Sequence, residues 1–487
     1  MTGAEPDGTA SAREQAAAWG RAGEWGAALA CASRALTAAP EDAELHHELA
    51  AYSARLGLTD EAIRHFRLAA LGSAALGSLL SMATYLPGAP GADLAAILAA
   101  RRRVGAALAA RWPELAGLAP PRRRRAGGRL RLGYLSAHFS WAPYMRPVWG
   151  VINQHDRAAV DVHLFADGGA PPFEGYRPHA RDRITLTSDL DVPTLHETLR
   201  SADLDVVIDL SGYGAPARAG VFVSAPAPLG VSWFNAFGTN GLPGLQVQMG
   251  DAIVCPAADE AYYVERIVRL PRSHLAFAPT TPTPEVGVPA SGTFTLGSLA
   301  PLYKLTGATL DDWCALLAAL PESRLALGHA DAAQGSNREH LLRRFERRGI
   351  ARERIRLSGP AANYEFMANY AGIDLALDTR PYSGGTTAAE ALWQGVPVLT
   401  WRGDRWAARL AASQLHSAGL ADFIAADSAD FVRRGQALAT PQGRARLAAL
   451  RHTLRARLLA SPACAVARQA RDVERVFHRL AHRTWRE

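Results

Sequence analysis

The chain has 487 residues, of which 48% are hydrophobic and 20% charged, with a formal net charge of +7. That length suits about three domains, and that composition argues against a disordered or fibrous protein. Four scattered cysteines, Cys31, Cys255, Cys314 and Cys464, share no metal-ligand spacing, which argues against a zinc motif and a disulfide framework and for free thiols in a reducing compartment. No apolar stretch is long enough to span a bilayer, and the start M-T-G-A-E-P-D-G lacks a basic region followed by an apolar core. A cytoplasmic location is therefore the expectation, with no membrane partner.

The first region carries a repeat. Gly23, Ala28 and Ala35 recur as Gly57, Ala62 and Ala69, a spacing of 34, and Ala32 maps onto Phe66 in the same register. This is the period of a tetratricopeptide repeat, in which small residues let paired helices approach. The spacing predicts repeats from about residue 12 to 70, within an all-α region over residues 1–118. Two repeats are few for an independent array, so this region is expected to pack against the domains C-terminal to it. A Pro/Arg/Gly linker spans residues 119–128. Its arginine run, residues 122–125, has no interleaved aromatics, so it reads as a solvated linker and no nucleic-acid partner is expected.

Beyond the linker, short apolar runs alternate with helical segments, the pattern of parallel-sheet α/β units. Residues 129–289 read as a first Rossmann-like domain, with strands at 130–136, 160–166, 206–210, 231–235 and 252–255. Residues 290–487 read as a second, with strands at 293–299, 325–328, 355–357, 375–378 and 396–400. Helices are expected at 310–320 and 337–348, and the tail after Pro441 is helical. Two such domains in tandem set a ligand cleft at the carboxyl ends of their strands.

The most informative stretch is D-T-R-P-Y-S-G-G-T-T-A-A-E-A-L-W, residues 378–393. An apolar strand runs into a Gly pair, Gly384 and Gly385, and a helix opens at Thr386 and Thr387. Backbone N–H groups and the positive helix end then suit a phosphate or diphosphate, which points to a nucleotide-sugar site. A ligand-free reading stands beside it: Thr387 followed three residues later by Glu390 is also a capping box. Lys304, just past a strand of the second domain, could neutralise a departing nucleoside diphosphate. In the first domain His138 follows strand one and Asp209 ends another strand. Each is a candidate base for a hydroxyl acceptor, and Asp209 could equally cap its turn. Two D-L-D triplets, residues 189–191 and 203–205, look like loop and cap residues, so no metal is expected. Neither a P-loop nor a G-x-G-x-x-G that opens a helix occurs, which excludes the usual NTPase and dehydrogenase motifs.

Taken together, the repeat start, L-R-L-G-Y-L-S, D-L-S-G-Y-G, A-P-A-P-L-G-V-S-W-F-N-A-F-G-T-N-G-L-P, Tyr303-Lys304 and the 378–400 stretch resemble the O-GlcNAc transferase and SPINDLY family, particularly its bacterial members, over nearly the whole chain. The resemblance implies a GT-B fold, two Rossmann-like domains facing a cleft behind the tetratricopeptide helices. It implies inverting, metal-independent transfer of GlcNAc or another hexose, with no cofactor, from a UDP-linked donor to a Ser or Thr hydroxyl of a protein or peptide. The helices would present that acceptor. By motif, Lys304 matches the lysine on the donor diphosphate, Thr386 and Thr387 the threonine pair, and Glu390 an acidic residue at the donor ribose. Tyr382, Gly384 and Gly385 complete the expected donor-binding stretch. The chain departs from the O-GlcNAc transferases where they carry histidine, at Ala142 before Pro143 and at Gly385, and where they carry a polar residue, at Ala300-Pro301. His138, four residues before Ala142, is a candidate replacement. The G-G-T-T form is nearer to SPINDLY, whose members transfer fucose from a GDP donor. Fucosyl transfer and a non-catalytic repeat scaffold stay open as alternatives.

Overall fold

Gly23 and Gly57 occupy the same point of two helical hairpins. Helices α1 (Gly8–Arg21) and α2 (Trp25–Ala38) flank the first, and α3 (Ala43–Arg55) and α4 (Thr59–Ala69) the second. Both glycines take the left-handed conformation, at φ 76° and 75°, which L side chains rarely adopt. Ala28, Ala32, Ala62 and Ala69 are fully buried, and so is Phe66 in the place of Ala32. The repeat read from the sequence is therefore the repeat of the fold. Helices α5 (Ala75–Tyr85), α6 (Leu94–Arg111) and α7 (Pro113–Ala116) come next.

The computed structural model describes residues 8–73, 75–122, 128–289 and 292–482. Residues 123–125 of the arginine run, and the first seven residues on which the leader expectation rests, lie outside the described residues. Among the described residues no helix is long and apolar enough to cross a membrane.

The next strands are β1 (Leu130–Ser136), β2 (Val160–Ala166), β3 (Arg183–Leu186), β4 (Val206–Asp209), β5 (Leu229–Ser232), β6 (Val247–Gly250) and β7 (Arg266–Arg269). They form a seven-stranded sheet in the order β3-β2-β1-β4-β5-β6-β7, parallel throughout. Helices α8 (Ala142–Asn153) and α9 (Val192–Ser201) connect its strands. The first two strands match the expectation residue for residue because apolar side chains fill alternate positions of each, Leu130, Leu132 and Tyr134 in β1 and Val160, Val162, Leu164 and Ala166 in β2. Two expectations need correction. Residues 252–255 form a turn, since Asp251 Oδ1 accepts the N–H groups of Ile253 and Val254 at 2.8 and 2.9 Å. The strand lies earlier, at β6, where the buried Gln248 hides it from an apolar pattern. The strand expected at 231–235 ends at Ser232, because Phe234 takes φ 73°. Strand β3 was missed because its side chains are mostly exposed.

The second sheet holds β8 (Thr295–Ser298), β9 (Arg324–Gly328), β10 (Ile355–Ser358), β11 (Leu375–Leu377), β12 (Val398–Trp401) and β13 (Ile424–Ala425), in the order β10-β9-β8-β11-β12-β13, again parallel. Its helices are α10 (Gly307–Ala319), α11 (Gly335–Glu346), α12 (Asn363–Ala368), α13 (Thr386–Trp393), α14 (Leu410–Ser417), α15 (Ser428–Ala439) and α16 (Pro441–Leu459). The final helix, α17 (Val466–His482), buries Val473 and Phe477 in the core of the first sheet, with Met145 and Trp149 of α8.

The chain divides into two compact units. One combines Met1–Ala92 with Pro284–Arg457, and the other Asp93–Thr283 with Leu458–Glu487. The helices of the first region are thus shared out. Helices α1 to α5 belong with the second sheet, and α6 and α7 with the first.

Candidate functional site

In the unit of the second sheet, β8 ends at Ser298 and the chain turns through Leu302–Lys304. That turn buries Lys304, only 8% exposed. Its Nζ donates to Ser383 O at 3.0 Å and stands 3.9 Å from the centre of the Tyr382 ring. Burial lowers its pKa to about 8, against the opposing pull of Asp378. The ammonium has three protons. One goes to a carbonyl, one faces a π cloud, and one is left for an anion.

The loop that meets Lys304 leaves β11 at Asp378. Asp378 is buried, and its Oδ1 accepts the Gly384 N–H at 2.6 Å while its Oδ2 accepts the Thr400 hydroxyl at 2.5 Å. Desolvation raises its pKa, and these hydrogen bonds oppose the rise. Thr379 Oγ1 donates to Tyr382 O at 2.6 Å, and the hydroxyls of Thr306 and Thr309 donate to Arg380 O at 2.6 and 2.8 Å. Ser383 N–H donates to Ala407 O and Ser383 Oγ accepts the Ala411 N–H, both at 2.9 Å. Gln414 Nε2 holds Gly385 O at 2.8 Å. The loop is therefore anchored along its length before the helix starts.

Gly385 is the N-cap of α13, so no side chain caps that first turn. The capping box is not formed, because Thr387 lies inside the helix, where its carbonyl accepts the Tyr370 hydroxyl at 2.9 Å. Thr386 and Thr387 are half-buried. Glu390 is 3% exposed, and its charge holds the Tyr370 phenol proton on more tightly, adding to burial. Gly384 has a steric reason. A Cβ there would stand 2.9 Å from Thr387 Oγ1 and 3.2 Å from Asp378 Oδ1. At Gly385 the nearest atom to a Cβ would be Leu410 Cδ1 at 3.9 Å, so that position has room for a side chain. Lys304, Tyr382, Gly384 and the start of α13 are thus brought together.

In the other unit, β1 and β4 are neighbours with Leu135 opposite Asp209, so the loops after them adjoin. Ala137 N–H donates to Ser211 Oγ at 2.9 Å. The His138 ring lies edge-on to Tyr144 at 5.1 Å, and its Nε2 would stand 3.2 Å from a Cβ on Gly214. Burial lowers the His138 pKa, which keeps the imidazole neutral and able to accept a proton. Asp209 is the cap of its turn. Its oxygens accept the N–H groups of Ser211 and Gly212 at 3.0 to 3.2 Å. Burial outweighs those bonds and raises its pKa to about 6. The motif reading overlooked Trp141, which is exposed and stacks on Tyr144 at 4.9 Å beside His138. It also gave no role to Asp378, although that residue opens the stretch singled out.

Of the two D-L-D triplets, Asp191 caps α9 by accepting the Thr194 N–H at 2.9 Å. Asp203 pairs with Arg131, and Asp205 accepts the Arg131 N–H at 2.8 Å. Among the described residues no group of three or more His, Cys, Asp or Glu could hold a metal ion.

The profile of glycosyl transferase family 41 matches residues 118–277 and 287–473. Among solved structures, a lysine-to-methionine mutant of the Thermobaculum terrenum O-GlcNAc transferase is 29% identical, with a TM-score of 0.84 over 97% of this chain and 90% of that one. A Solanum lycopersicum protein named probable UDP-N-acetylglucosamine–peptide N-acetylglucosaminyltransferase SPINDLY is 32% identical over 301 residues, covering 60% of this chain and 32% of that protein. The Arabidopsis thaliana protein SEC, of the same described activity, is 26% identical over 376 residues, 73% of this chain and 38% of that protein. The chain thus spans about a third of the length of the curated relatives it matches. Two parallel α/β units with a helical lead, and that structural likeness, make the fold GT-B, as expected.

Proposed function

The chain belongs to glycosyl transferase family 41, and from that membership we propose that it moves a sugar from a nucleotide-sugar donor to a Ser or Thr hydroxyl of a protein or peptide. The observation that carries the proposal is the buried Lys304 ammonium. Among the described residues its one hydrogen bond is to Ser383 O, in the loop that feeds the uncapped start of α13. A cation and a helix N-terminus brought together suit the charge that a leaving nucleoside diphosphate gains. Transfer needs no further group for that charge, which supports a metal-independent reaction. The acceptor hydroxyl attacks the anomeric carbon, the bond to the diphosphate breaks, and configuration inverts.

Tyr382, Gly384, Gly385, Thr386 and Thr387 hold the donor in this reading. Glu390, buried on the same helix, is the acidic residue assigned to the donor ribose. A neutral His138, or Asp209 with its pKa near 6, takes the acceptor proton. UDP is the favoured nucleotide, supported by the names of the relatives. The repeat helices receive the acceptor. A cytoplasmic location belongs to the same proposal, supported by four free cysteines.

Thermal-shift assays with UDP, GDP, UDP-GlcNAc and GDP-fucose test the donor, since a ligand of the folded form raises the melting temperature. Intact-mass spectrometry of an acceptor protein incubated with enzyme and donor tests transfer. Binding of UDP with a mass increase of one N-acetylhexosamine is the expected outcome. A GDP-specific shift selects fucosyl transfer, and donor binding without any mass change selects the scaffold.

A further inference from the structure

Arg344, on α11, is buried, and among the described residues its guanidinium has no ion-pair partner. Its terminal nitrogens donate to two backbone carbonyls. Nη1 reaches Leu56 O, in the turn between α3 and α4, and Nη2 reaches Leu305 O, the residue after Lys304, both at 2.7 Å. Burial, with help from Arg348 and against the longer-range pull of Asp311, which makes no ion pair with it, lowers its pKa to about 10 and still leaves it charged at neutral pH. A buried charge without a counter-ion is costly, and an apolar side chain would fill the same space without that cost. What the guanidinium adds is a fork that ties two strands of backbone.

The two segments also touch directly. A Cβ on Gly57 would stand 2.5 Å from Leu305 O and 2.9 Å from Leu302 O. The turn between α5 and α6 meets the other wall of the lysine. A Cβ on Gly88 would lie 3.3 Å from Tyr382 Cβ, and the neighbouring Ala89 O accepts Arg405 Nη1 at 3.1 Å. Two turns of the helical region, α3–α4 and α5–α6, thus bear on the segment that carries Lys304 and on the tyrosine beneath its ammonium.

We propose that Arg344 is a positioning residue for donor binding: it clasps the second repeat turn to the carbonyl beside Lys304 and so sets where the ammonium points. The proposal rests on the reading of Lys304 as the ligand of the donor diphosphate. The repeat helices then complete the nucleotide site as well as receiving the acceptor.

Calorimetric titration of the full chain with UDP and with GDP, at a temperature well below every melting point, tests this on wild type, Lys304→Met, Arg344→Met, Arg344→Lys and Glu24→Ala. Arg344→Met is expected to weaken the diphosphate that wild type binds by about tenfold, the scale of one lost charge-assisted hydrogen bond. It is also expected to shift the pH at which that affinity declines. Arg344→Lys recovers part of the loss. Should the methionine variant not fold, the lysine variant decides by reduced affinity at an unchanged melting temperature. Glu24→Ala, which loosens the same helices elsewhere, is expected to lower the melting temperature and leave affinity alone. Wild-type affinity in both Arg344 variants, or an equal loss in Glu24→Ala, overturns the positioning role. Equal binding by wild type and Lys304→Met overturns the reading of Lys304, and the positioning role with it.

Discussion

The carboxylate of Glu24 accepts both the backbone N–H and the hydroxyl of Ser336, at 2.7 and 2.5 Å. Glu24 precedes α2 and Ser336 lies in the first turn of α11, so a residue of the repeat caps a helix that packs with the second sheet. The capping is mutual. Ser336 Oγ accepts the Ala27 N–H at 3.1 Å, and Asn337 Oδ1 accepts the Gly26 N–H at 3.0 Å. Two helix starts satisfy each other's free N–H groups.

Glu24→Ala should therefore destabilise the chain by about 1–2 kcal/mol, the usual worth of a helix cap. The check is a chemical-denaturation curve. Glu24→Gln, which keeps one acceptor oxygen, should fall between. An unchanged midpoint for the alanine variant would show the contact to be incidental.

If Lys304 holds the donor diphosphate, burial, which lowers its pKa from 10.5 to about 8, makes that binding pH-dependent. A depressed amine favours its neutral form in the fold. Its contribution to stability is present above the unfolded pKa and is lost as pH falls through 8. Binding runs the other way, because the anion needs the ammonium. Affinity for UDP should fall as pH rises between about 7 and 9.5, and Lys304→Arg, which stays charged, should lack that fall. The same slope in Lys304→Met would assign the dependence to another group.

The two glycines before α13 should respond differently. Gly384→Ala forces a Cβ against Thr387 Oγ1 and Asp378 Oδ1, and it strains the N–H bond to Asp378. Loss of about 1–3 kcal/mol of stability and weaker diphosphate binding are expected. Gly385→Ala meets only Leu410 at van der Waals distance and should cost less on both counts. Melting curves and titrations of the pair decide, and a larger loss at position 385 would contradict the geometry.

Asp209 carries a stability signature of opposite sign to a salt-bridged carboxylate. Its folded pKa, about 6, lies above the usual 3.8, so the protonated form is favoured in the fold. That stability is present below the unfolded pKa and is lost as pH rises through 6. Between about pH 4 and pH 7 the wild type should lose on the order of 2 kcal/mol relative to Asp209→Asn. Parallel pH–stability curves for the two proteins would show that folding leaves the carboxyl's pKa unshifted. If Asp209 is also the acceptor base, the asparagine variant binds donor and transfers nothing.

Much of this was readable from residue order. The 34-residue spacing of Gly23 and Gly57 reflects a backbone demand, a left-handed turn that glycine meets without strain, so it shows in the chain itself. The bounds of β1 and β2 were legible because apolar residues recur at alternate positions along both, and the Gly pair before α13 because it is local. Motif order carried the family resemblance, which the family match bears out. Strands β3 and β6 escaped because one is exposed and the other buries a glutamine, so neither makes an apolar run.

Local order alone determined the repeat, the alternation of strands and helices beyond it, and the Gly pair that opens α13, since each depends on the dihedrals and periodicity of adjoining residues. Only the tertiary structure decided that Gly385, and not Thr387, heads that helix, that Asp209 caps its turn, and that Glu390 lies beneath the surface. It also decided that Arg344 reaches a carbonyl 288 residues away. Burial, proton affinity and long-range hydrogen bonds are set by what surrounds a side chain in space, and no window of neighbouring residues contains that information.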